Sequence, residues 1–138
     1  MIDGMSDLAR PLPFGSGFDS ELSADLRRAV ETSHLLHLLR HRAALTQETI
    51  ARATGASLRS VRNWERDVRL RRSSEDRLRD LADIVAIAST SLTPKGISQW
   101  LWAKNRRLDG ARPVELLATE QAARVREAVL SFVEGGYE

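Results

Sequence analysis

The stretch SLRSVRNWER, residues 57–66, sets Arg59, Arg62, Asn63 and Arg66 at spacings of three, one and three. On an α-helix these four side chains share one face, and Val61 and Trp64 fall on the reverse. A guanidinium can grip a guanine edge or a phosphate with two parallel hydrogen bonds, and a carboxamide can do the same with adenine. A helix with that face is suited to a nucleic-acid groove. The competing reading is an ordinary solvated surface, the usual fate of a charge-rich helix. Two other constellations bear on chemistry. His34, His37 and His41 recur at i, i+3 and i+7, a spacing that suits imidazole ligands of zinc or nickel. However, that face lies opposite Leu35 and Leu39 and has no neighbouring carboxylate to orient the rings, so a solvated or groove-proximal stripe is expected. Asp80 with Asp83, and Glu115 with Glu120, sit on polar helix faces without a cleft. Phosphate-cradling glycine loops and nucleophile elbows are absent, so neither an enzyme nor a bound cofactor or metal is expected.

The charge distribution sharpens the first reading. The formal net charge is only +2. Residues 40–79 nevertheless hold eleven arginines and no lysine against five acids, while the flanking segments are slightly acidic. At 138 residues the chain suits one ordinary domain or two small ones. An apolar share of 42% and a charged share of 29% are those of a globular protein. Without cysteine, no disulfide framework or thiolate metal site can be drawn. The N-terminal MIDGMSDLAR lacks the apolar core of a signal peptide, and the apolar run Ile84–Ala88 is far too short for a bilayer. A cytoplasmic protein without membrane contact is expected.

The elements that must position these residues read as helices throughout. Glycines and prolines in residues 1–20 break regular structure, so an N-terminal arm is expected. Ser20 or Ser23 can open a helix reaching Leu38–Arg42, with a break near Thr32–Ser33 and a buried Leu35/Leu38/Leu39 stripe. Thr46 caps Gln47–Thr54, and Gly55 supplies the left-handed residue that stops it. Ser57 caps a helix from Leu58 to about Asp67. Ser74 opens the next, whose Leu78, Leu81, Ala82, Val85 and Ala88 recur at helical spacing. Thr93–Pro94 starts another helix, Asp109–Gly110 turns the chain, Pro113 opens a short helix, and Thr119 caps the last one through Val125, Val129 and Phe132. No segment alternates like a strand. The fold class is therefore all-α.

With these elements placed, Leu45–Glu65 resembles the helix-turn-helix of the phage-repressor and Xre family, in the TQ that enters the first helix, Ala51, Gly55, Val61 and the closing WER. The resemblance implies that Gln47 contacts a phosphate and that Ser57, Leu58, Arg59, Arg62 and Asn63 face the major groove of operator DNA; Ser60 and Arg66, polar positions of the same helix, are expected to bind DNA with them. It also implies a structural ion pair between Arg40 and Glu65. Leu58 departs from the polar residue usual there, so a thymine-methyl contact or none is expected from it.

Downstream, Trp100–Leu101, Asn105, Leu108, Gly110, Arg112–Pro113, Leu116–Leu117 and a final Gly136–Tyr137 resemble, in that order, the toxin-binding domain of Xre/MbcA/ParS-type antitoxins. The two resemblances together span about residues 33–137. They imply an Xre-like helix-turn-helix bundle over 21–90 and a small helical toxin-binding domain over 91–138. They further imply a chain that neutralises a RES-type, NAD-consuming toxin and represses its own operon. Its toxin contacts would come from Trp100, Leu101, Asn105, Arg112, Leu116, Leu117, Gly136, Tyr137 and Glu138. In that reading Gly135–Gly136 lets the chain leave the last helix, Tyr137 anchors it, and the Glu138 carboxylates imitate an anionic substrate group. Gln121–Ala122 stands where many relatives have a glycine, which blurs the start of the last helix. One helix-turn-helix buries little surface, so a homodimer on half-sites a helical turn apart, or a higher toxin–antitoxin assembly, is expected. The alternative is a stand-alone homodimeric repressor whose C-terminal segment only dimerises.

Overall fold

The computed structural model describes residues 20–66 and 69–135. Residues 1–19 of the expected N-terminal arm and the three tail residues Gly136, Tyr137 and Glu138 lie outside them, and Ser20 opens the first helix. Every regular element among the described residues is helical. In chain order these are α1 (Ser20–Arg28), α2 (Thr32–His37), a π-helical turn (Leu38–Arg42), α3 (Gln47–Thr54), α4 (Leu58–Arg66), α5 (Arg72–Ala88), α6 (Pro94–Trp102), a 3₁₀ turn (Arg106–Leu108), α7 (Pro113–Leu117) and α8 (Ala122–Val133).

The capping chemistry explains most boundaries. Thr46 and Thr93 accept from the amides of Thr49 and Gly96, and the Ser57 hydroxyl accepts from the Ser60 amide. Each satisfies one of the orphan donors at a helix start. Gly55 ends α3 at φ 73°, and Asp109 and Gly110 turn the chain at φ 57° and 87°. Three boundaries differ from expectation. The break after α1 falls at residues 29–31, because the guanidinium of Arg79 takes the carbonyls of Ala29 and Val30 and closes the helix end. Helix α5 begins at Arg72 rather than Ser74, with Arg71 in the capping position and no side-chain cap. Thr119 does not cap α8, since its hydroxyl turns back to the Leu116 carbonyl. Glu120 instead adopts φ 64°, and Gln121 precedes the helix.

Helix α5 is the axis of the molecule. At about 25 Å, it packs against α1, α3 and α8, with further contacts to α2 and α7. Its run from Ile84 to Ala88 is buried on every side, the pattern of a helix covered all round. A single hydrophobic core runs from Leu22 on α1 through Leu35, Leu39, Ile50 and Val61 to Leu101, Leu117 and Val129. The motif change near residue 90 is therefore not a gap in the core. Among the described residues no helix is long and apolar enough to cross a membrane.

Candidate nucleic-acid interface and the C-terminal cap

Helices α3 and α4 pack on each other through a three-residue connection, and α4 leans on α2. Ile50 and Val61 are fully buried, and Trp64 is only 6% exposed. That anchoring leaves Arg59, Arg62, Asn63 and Arg66 exposed together on the outer face, with Ser60 half-buried at its margin and Ser57 exposed at the helix start. Leu58, 37% exposed, is one of only two large hydrophobic side chains that stand out from the surface of the described residues. Arg66 donates to the Asn63 side-chain Oδ1 at 3.0 Å, which ties the two polar groups together on this face.

The angle of α4 is set by one carboxylate. Glu65 accepts from Arg40 Nε at 2.5 Å on one oxygen and from Gln47 Nε2 at 3.0 Å on the other. Arg40 also donates to the Leu45 carbonyl at 3.0 Å. It can do so because the π-helical turn shifts the hydrogen-bond ladder, with the Ala43 amide reaching back to the Leu38 carbonyl. Three helical segments thus meet on Glu65. The ion pair foreseen for Arg40 and Glu65 forms. Gln47, expected at a phosphate, spends one amide hydrogen on Glu65 and keeps the second.

A groove of about 630 Å³ opens beside α4, where Ser60, Asn63 and Arg66 face Arg69, Arg71 and Ser74. Arg69 and Arg71 were not among the residues singled out by resemblance. The arginine run after α4 was their only sequence signal. His34, His37 and His41 are exposed, and the rings of His37 and His41 lie 4.6 Å apart. Among the described residues no group of three metal-ligating side chains forms.

The C-terminal cap is pinned to the α3–α5 bundle by polar as well as apolar contacts. The Trp102 indole donates to Thr49 at 3.0 Å, and Arg52 lies 5.4 Å over its ring. Arg52 also reaches Glu115, Arg77 reaches Glu120, and Arg126 reaches Asp83. Several residues expected to touch a partner serve the cap itself. Leu101 and Leu117 are wholly buried, so no partner can reach their side chains in this conformation; they shape the surface from beneath. Asn105 accepts from the Arg107 amide at 2.9 Å and orders the 3₁₀ turn. Arg112 donates to the Trp102 carbonyl at 2.9 Å, fastening α7 to the end of α6. Trp100 and Leu116 are half-buried and do reach the surface.

Two carboxylates on α5 have displaced pKa values. Asp80 is raised, first by burial and then by Asp76 and Asp83, with Arg77 opposing. Glu75 is lowered, chiefly by the Thr32 hydroxyl that donates to it at 2.6 Å, with Arg79 assisting.

The all-helical fold is shared with a known structure. A chain in the crystal structure of the M. tuberculosis MbcT-MbcA toxin-antitoxin complex superposes with a TM-score of 0.66 at 24% identity, covering 78% of this chain and 97% of that one. The class is therefore the all-α fold present in that complex. In sequence, the chain is 45% identical over 116 residues to the probable mycobacterial cidal antitoxin Rv3188 of Mycobacterium tuberculosis, covering 84% of this chain and 99% of that protein. It belongs to the mycobacterial cidal antitoxin family. No protein-family model matches it.

Proposed function

We propose that this chain neutralises a protein toxin of the RES type, which consumes NAD, and represses its own operon by binding operator DNA as a homodimer or within a toxin–antitoxin assembly. Family membership supports the first half. The second rests on one observation, the outward display of Arg59, Arg62, Asn63 and Arg66 on a helix whose reverse is locked by Val61 and Trp64. Arg59 and Arg62 read base edges, Leu58 meets a thymine methyl group, and Ser57, Ser60, Arg66 and the free hydrogen of Gln47 fix the register on phosphates. The protein acts by binding in the cytoplasm and catalyses nothing.

Two measurements test this. Co-expression with the reading frame adjacent to its gene should rescue cells from that product's toxicity, accompanied by preserved cellular NAD. A stand-alone repressor would give no rescue. In gel shifts on the promoter, Arg59→Ala or Asn63→Ala should weaken specific binding by about 1–3 kcal/mol. Wild-type affinity should fall with salt at a log–log slope of about −4 to −5, the signature of four to six neutralised phosphates. Unchanged binding by Arg59→Ala would remove the DNA half of the proposal.

A further inference from the structure

The C-terminal half of the chain is not basic overall, yet its cations are segregated. From Lys95 to Leu108 there is no acid at all. Elsewhere on the cap, positive charge is matched locally: Arg112 with Glu115, Arg124 with Asp109, and Arg126 with Asp83. Lys104 and Arg106 are different. Both are exposed, and among the described residues neither has an ion-pair partner.

These two cations rim a shallow cleft of about 190 Å³ together with Asn105 and Arg107, and its wall is formed by Trp100 and Phe132. The rings are half-buried and tilted by 54° with centroids 6.4 Å apart. The Asn105 side-chain Oδ1 holds the 3₁₀ turn through the Arg107 amide, so the backbone that carries the rim is ordered. An ordered aromatic floor beside unspent positive charge is the composition of a protein-interface anchor, where aromatic and Arg side chains carry most of the energy. The tilted rings offer no parallel slot for a base, and the volume is below that of an ordinary small-molecule site. None of the lining residues belongs to α3 or α4.

We infer that the Trp100–Phe132 cleft and its Lys104/Arg106 rim form a docking surface for an acidic patch on the toxin, with at least one partner carboxylate paired to the rim cations and apolar partner surface laid against the rings. The inference rests on the toxin-neutralising reading and adds the surface and the charge of the partner.

The test uses the full chain and the product of the adjacent reading frame as probe. The double variant Lys104→Glu/Arg106→Glu should raise the toxin Kd by about 10- to 100-fold, largely through slower association at low salt. Lys104→Arg should bind as wild type does. Promoter affinity and melting temperature should stay near wild type in both, which separates this surface from the α4 face and from misfolding. Unchanged toxin affinity and salt dependence in the double variant would overturn the inference while leaving neutralisation intact. Loss of promoter binding with toxin binding retained would assign the rim to DNA and overturn it. If the double variant loses its effect once residues 136–138 are deleted, the rim serves the chain's own terminus and the inference falls. A wild-type chain that does not bind the probe removes both readings.

Discussion

Glu65 carries more than its exposure suggests, because both of its oxygens are occupied by groups from other segments. Charge-assisted hydrogen bonds of this kind contribute about 1.5–3 kcal/mol at best, and a solvent-accessible ion pair contributes less. Glu65→Ala should therefore cost about 1–2 kcal/mol in urea denaturation. A double-mutant cycle with Arg40→Ala should return a coupling of about 1 kcal/mol; a value near zero would make the pair a surface ornament. Asp80 gives a pH signature. Its raised pKa means the folded chain holds the proton more tightly than the unfolded chain, so ionised Asp80 is a cost at neutral pH. That cost is relieved as pH falls through the raised value and is constant below 3.8, where both states are protonated. Asp80→Asn should raise the melting temperature at pH 7, and the gain over wild type should vanish below pH 4. Glu75 has the opposite sign: its lowered pKa stabilises the fold above the ordinary value of 4.5, and the benefit is lost as pH falls. The Arg40–Glu65 pair was legible only through family likeness. The displacement at Asp80 was not legible, because its largest cause is burial, which the spacing of Asp76, Asp80 and Asp83 does not reveal.

Among elements, the α3–α4 unit was the most readable, since Thr46, Gly55 and Ser57 each have a local job that sequence states directly. Gly55 is the sharpest case. A Cβ there would come no closer than 3.6 Å to its nearest neighbour, the Arg77 guanidinium, so space is not limiting. The left-handed backbone is limiting, and Gly55→Ala should cost about 1–2 kcal/mol, read as a lower melting temperature. Gly55→Asn should recover part of it. The start of α8 was misread for a related reason. Thr119 has the chemistry of a cap, but capping is decided by backbone geometry, and Glu120 takes the left-handed position before the helix can begin. The π-helical turn left no mark in the sequence, because Leu38–Arg42 has the same apolar pattern whether the ladder closes over four residues or five.

At the level of the whole molecule, the apolar run Ile84–Ala88 was the clue that α5 is covered on every side, and resemblance to two separate modules drew attention away from it. The cover comes partly from α8, so the cap completes the core of the preceding helices. The full chain should unfold in one cooperative transition by calorimetry. A chain ending at residue 92 should lose that cooperativity, because it leaves one side of α5 in water. Retention of a sharp transition would show that the first six helical segments stand alone. The continuous interior also ties the two proposed roles to a common lifetime. On that reading, proteolysis that unfolds the cap would not leave a working repressor behind, so destruction of the chain would release the toxin and open the promoter in the same event.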